Sequence, residues 1–156
     1  MDHLKSLRLL SFSSIGMMAL TSLHHAYGAV VYHTPWRLHV LFVSVPVIVL
    51  LAILDITMRR HGVGRWQLRT YLLLLILFPL LSIGVYEGAY NHAAKDLLYL
   101  LHLPAATFDK LFPSSMYEKP NDVFFELTGV LQAIILWPLV KSLVRLLREL
   151  RSLAAL

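Results

Sequence analysis

The sequence contains no cysteine. That excludes disulfides, thiolate metal sites, iron–sulfur clusters and a cysteine nucleophile. Charge is scarce too: only 15% of the 156 residues are charged, while 58% are hydrophobic. A soluble domain carries about a quarter charged residues and somewhat under half apolar ones. The surplus apolar surface calls for lipid as its solvent. No internal repeat occurs, and neither do the spacings Glu-x-x-His or His-Glu-x-x-His that put two metal ligands on one helix face. A cleavable leader is not expected, because Tyr27 and the histidines before it make the small residues near 26–29 a poor cleavage region.

What the chain does contain is four long apolar runs, at about residues 9–31, 38–58, 70–90 and 123–143. Each matches the roughly 20 helical residues needed to cross about 30 Å of hydrocarbon. Helix is required because a lone strand would leave its backbone unpaired in lipid. The expected fold is therefore all-α, a single transmembrane domain over residues 1–156 built as a four-helix bundle. A basic amphipathic tail at 144–156 is expected to lie on the inner leaflet.

The net charge of +5 does not point to nucleic acid, since the basic residues stand at the ends of apolar runs. Lys5 and Arg8 precede the first run, Arg59, Arg60, Arg65 and Arg69 fill the link between the second and third, and Lys141, Arg145, Arg148 and Arg151 follow the fourth. Arg37, Lys95, Lys110 and Lys119 occupy the opposite side. By the positive-inside rule both termini are cytoplasmic, as in a bacterial inner membrane. The outer link between helices 3 and 4 opens with a short amphipathic segment at 96–103, too short to span and expected to lie along the membrane surface or cap the bundle. Asn121 or Asp122 is placed to cap helix 4. Gly84 and Gly88 form a small-xxx-small pair suited to close helix contact.

The polar residues cluster at one depth. His24, His25, His33, His39, His92 and His102 all lie near the outer ends of the spans, with Glu87, Asp122, Glu126, Tyr86, Tyr90 and Asn91. Ionisable groups inside a span cost a few kcal/mol unless paired or facing a wet cavity, and mark functional sites. Imidazoles with carboxylates suit zinc, iron, manganese or copper(II). The expected metal ligands are His24, His25, His39, Glu87, His92 and Glu126. Residues 87 and 92 are five apart, about 140° on a regular helix, a poor spacing for joint ligation.

Plainer roles compete at several positions. His33 and His102 suit interfacial anchors, Glu126 can pair with Lys119 or complement a helix N-terminus, and Asp55 can pair with Arg59. Gln132 is expected to bond a neighbouring helix.

Three functions follow from different classes. One is an exoplasmic (periplasmic) metal site for metal binding or for chemistry on a lipid-like, membrane-dissolved substrate. Another is metal-free acid–base catalysis on such a substrate by Glu87 and a histidine, with Tyr86 or Tyr90 as donor, or its variant, haem held by two histidines on facing helices. The third is an accessory subunit of a larger membrane complex. The metal reading requires His25, Glu87 and His92 to lie within about 12 Å of one another, since ligand bonds are only ~2 Å.

Overall fold

The computed structural model describes residues 2–154, with side chains over residues 5–152. All regular structure among them is helical. Helix α1 runs Asp2–Val31, and a short 3-10 turn at Pro35–Leu38 leads into α2, His39–His61. Helix α3, Arg65–Leu75, continues into a π-wound stretch, Ile76–Ala94, and then into α4, Lys95–Leu100. A separate short helix α5, Ala105–Leu111, precedes α6, Val123–Ala154. Among the described residues, four helices are long and apolar enough to cross a membrane: Lys5–Val31, Pro35–His61, Arg65–Leu100 and Val123–Ser152. This is the expected four-helix bundle.

Buried polar residues stand beside the apolar core, and many large apolar side chains face outward. Helix α1 is the least apolar span and the most buried, with half of its best membrane-length window covered against 22–28% in the others. Ser11, Ser14, Thr21, His24 and His25 on α1 are buried, whereas Phe12, Phe42, Ile53 and Trp137 are exposed. A bundle sheathed in lipid gains nothing by hiding apolar faces from hydrocarbon; its helices associate through packing and internal hydrogen bonds. One such bond is Ser11 Oγ to Tyr71 OH at 2.8 Å. Asp55 pairs with Arg59 one turn on, as expected.

Two boundaries differ from expectation. The third helix does not stop near residue 90 but extends to Leu100, so the segment at 95–100 prolongs the span instead of lying apart from it. Hydropathy falls there, yet Lys95 and His92 are buried against α6, and that packing sustains the helix. Helix α6 likewise carries on through the described part of the tail. Leu143 and Leu146 are buried, and Ser6 Oγ donates to Glu149 Oε1 at 3.0 Å, so α1 takes the tail's inward face.

The π winding has a local cause. Pro79 supplies no N–H to the ladder and crowds the carbonyl four residues back, and i→i+5 bonding relieves that crowding. At the far end of the stretch the Lys95 N–H reaches the Tyr90 carbonyl, five residues back, and Ser82 Oγ donates to the Leu77 carbonyl in the same register. The glycines allow close approach to α6. A Cβ on Gly88 would lie 2.5 Å from Ala133 N, and one on Gly84 would lie 2.7 Å from Leu136 Cδ1.

Candidate metal centre

Side chains of two helices meet around one carboxylate, and a third helix, α6, backs them. Glu87 Oε1 lies 3.5 Å from His24 Nε2, 3.5 Å from His25 Nε2 and 3.5 Å from His92 Nε2. His24 Nε2 and His92 Nε2 are themselves 3.1 Å apart. The requirement of a shared neighbourhood for His25, Glu87 and His92 is met with room to spare.

The unfavourable five-residue spacing is resolved by the π winding. A turn closed by i→i+5 bonds holds slightly more than four residues, so positions 87 and 92 diverge by roughly 50° instead of about 140°. Both side chains then reach the same centre.

Outer partners hold the rings. His24 Nδ1 lies 2.9 Å from Thr128 Oγ1, whose hydroxyl donates to the carbonyls of Phe124 and Phe125, both at 2.9 Å. With its proton so committed, Thr128 accepts from His24 Nδ1–H. His92 Nδ1 donates to Glu126 Oε2 at 2.7 Å. If both rings are neutral, these bonds leave each Nε2 lone pair facing Glu87. Phe125 stacks on His24 with ring centroids 4.1 Å apart. Gly129 has no side chain because the His92 ring lies against it; a Cβ there would overlap the imidazole.

Glu126 does not pair with Lys119. Its partner is Lys95, fully buried, with Nζ 3.2 Å from Oε1 and 3.3 Å from Oε2. The same ammonium donates to the Glu118 carbonyl at 2.9 Å and lies 3.7 Å from Asp96 Oδ1. Arg37 reaches Glu118 Oε1 at 3.2 Å from the other side, so two cations pin the loop before α6 over the cluster. Asp122 caps α6 as expected, accepting from the Phe125 N–H at 2.8 Å.

Two expected residues stand elsewhere. His39 is exposed, with Nδ1 2.6 Å from the Trp36 carbonyl and its ring stacked on Trp36. Tyr90 donates to the Leu111 carbonyl at 3.0 Å and packs beside Tyr86 and Phe112, tying the third helix to the loop. Depth in the membrane selects both, but their side chains bond backbone carbonyls instead of Glu87. His33 and His102 are exposed, as interfacial residues would be.

Lys95, Thr128, Phe125 and Gly129 were not anticipated. Lys95 follows His92 by three and Gly129 follows Glu126 by three, so each shares a helix face with an anticipated ligand. That signal becomes visible once the third helix is known to continue to Leu100.

The atoms of His24, Glu87 and His92 lie close enough to hold one metal ion, as do those of His92, Asp96 and Glu126. The first group is the better candidate, because the Lys95 ammonium already sits against the carboxylates of the second. Haem fits poorly. Two imidazole nitrogens 3.1 Å apart leave no gap for a porphyrin plate between them. Compared with protein families, curated proteins and solved structures, the chain matches none of them.

Proposed function

We propose that this chain is a membrane metalloprotein, with His24, His92 and Glu87 holding one transition-metal ion and His25 at its accessible edge. The observation that carries this reading is the convergence of three imidazole Nε2 atoms on one carboxylate oxygen, at 3.5 Å each. Four ligands on bonds of ~2.05 Å around a tetrahedral ion sit roughly 3.3 Å apart. The separations here, 3.1 to 3.5 Å, bracket that value.

The outer partners and the charge support it as well. Metal-bound histidines characteristically donate their second ring nitrogen to a carboxylate or similar acceptor, which Glu126 and Thr128 provide. With neutral imidazoles and ionised acids, Glu87, Glu126 and Asp96 outweigh Lys95 by two negative charges, the complement of a divalent ion. Zinc, iron, manganese and copper(II) all suit nitrogen and carboxylate donors.

Two histidines and one carboxylate leave coordination positions open, the pattern of catalytic rather than structural centres. His25 and Glu87 are each 8% exposed, while His24 and His92 are fully buried, so the open side is theirs. The reading is thus of chemistry on a small, membrane-dissolved substrate. The Lys and Arg distribution favours an exoplasmic site with cytoplasmic termini.

A metal-free acid–base role is the rival, favoured by the position of His92 between Glu87 and Glu126. Elemental analysis of protein purified without a metal-affinity tag decides between them. About one ion per chain, lost in Glu87→Gln, supports the metal reading. Substoichiometric metal, unchanged in Glu87→Gln and His25→Ala, would overturn it.

A further inference from the structure

One helical turn deeper than the histidines, a second group of polar atoms lies buried with no partner. Thr21 and Gln132 are fully buried, and neither Thr21 Oγ1 nor either amide atom of Gln132 has a hydrogen bond. His25 Nδ1 shares that condition. Gln132 was expected to bond a neighbouring helix, and it does not.

These residues belong together by the helix geometry. Thr21 and His25 are four apart on α1, and helical side chains lean back toward the N-terminus, which carries the imidazole over the turn of Thr21. Gln132 follows Thr128 by four on α6 and so shares its inward face. The contacts Ser6 to Glu149 and His24 to Thr128 set the antiparallel register of α1 and α6, and that register brings Thr21 opposite Gln132. Gly88 closes the third side: a Cβ there would lie 3.0 Å from Gln132 Cβ.

An unpartnered buried polar atom costs about 1–3 kcal/mol, and no bulk water reaches this depth in hydrocarbon. We propose that Thr21, His25 and Gln132 form an internal water site beneath the metal centre. A buried water makes two to four hydrogen bonds to otherwise unsatisfied groups; here a hydroxyl, an amide oxygen, an amide NH2 and an imidazole nitrogen are on offer. Toward the other end of the bundle Met17, Met18, Leu51 and Leu139 are buried and offer water nothing to bond.

Its role, which rests on the metal reading, is to complete the third histidine. Thr128 holds His24 and Glu126 holds His92; water held by Gln132 and Thr21 does the same for His25 and keeps its Nε2 aimed at Glu87. Gln132 is a positioning residue.

The test is proton-detected solid-state NMR of the full chain in bilayers, following magnetisation from water into the protein. The Gln132 side-chain amide receives it at short mixing times, while the Leu51 and Leu139 backbone amides stay silent. A dry Gln132 amide overturns the proposal. In Gln132→Met, of similar length, the transfer to Thr21 disappears and the His25 ring resonances shift while those of His24 and His92 hold; persistent transfer to Thr21 would count against the site. The two readings fail separately. A wet Gln132 in a chain that binds no metal leaves the water site standing, and a dry one in a chain with stoichiometric metal removes the water site alone.

Discussion

His24 and His92, 68 positions apart in the chain, face each other Nε2 to Nε2 at 3.1 Å. Each ring's other nitrogen is engaged, His24 with Thr128 and His92 with Glu126. With both rings neutral, two lone pairs would therefore point at one another and at the Glu87 carboxylate. Such an arrangement repels itself unless a proton or a cation lies among the three atoms. On the metal reading, the outer hydrogen bonds thus do more than orient the rings: they turn both lone pairs toward the place of the ion.

From this follows the effect of metal on stability. A ligand that binds only the folded chain stabilises it by about 2.7 kcal/mol at a hundred times its dissociation constant. Adding zinc or manganese to chelator-treated protein is expected to raise the midpoint of thermal unfolding in detergent. Glu87→Gln keeps the side chain's shape and removes its charge, so its metal-free midpoint should stay close to that of the native chain while the metal-induced rise disappears. A rise of equal size in the variant would show that the ion binds elsewhere.

Lys95 and Glu126 make a second, separable prediction. Lys95 is 1% exposed and faces the carboxylates of Glu126 and Asp96. Removing one partner of a buried ion pair typically costs about 3–5 kcal/mol, because the other charge is left unpaired. Lys95→Met should therefore destabilise the bundle strongly, measured by chemical unfolding in mixed micelles. Adding Glu126→Gln should recover part of the loss. No recovery in the double variant would mean that the lysine acts through the Glu118 carbonyl instead.

How much of this was readable beforehand depends on what each feature requires. The four spans follow from apolar runs, because lipid demands length and hydrophobicity from any helix that crosses it. The end of the third helix does not, since residues 91–100 lose their hydropathy while gaining the partners that keep them helical. His24, His25, Glu87, His92 and Glu126 could be chosen by depth and residue type. Tyr90 and His39 satisfied the same criteria, but depth carries no information about helix face. Least legible was the π winding. It reverses the inference drawn from the spacing of Glu87 and His92, and hydrophobic patterning is silent about it.

Gly129 offers a steric test of the site that leaves its ligands in place. Any Cβ there overlaps the His92 ring, and overpacking of a tight interior costs about 1–3 kcal/mol. Gly129→Ala should displace the ring, lowering metal affinity by at least tenfold as its bond to Glu126 is lost. Gly16→Ala is the control, as nothing lies within 4 Å of a Cβ at that position. Metal titration of the two variants side by side separates the effects; equal affinities would show that the His92 ring has freedom the packing denies it.

The winding of the third helix can be measured directly, because the chain has no cysteine to remove before labelling. Leu73 and Leu97 are both exposed and stand on either side of the π stretch. Spin labels at those positions would be roughly 36 Å apart along a continuous α-helix, at 1.5 Å per residue. Wider winding shortens the rod, so the native chain should give a distance several ångströms smaller. Pro79→Ala restores the missing N–H and removes the crowding that disfavours α winding. It is expected to lengthen the distance and, by rotating His92 away from Glu87, to weaken metal binding about tenfold with every ligand still present. If the distance lengthens and affinity holds, the π geometry is not what brings Glu87 and His92 to one centre.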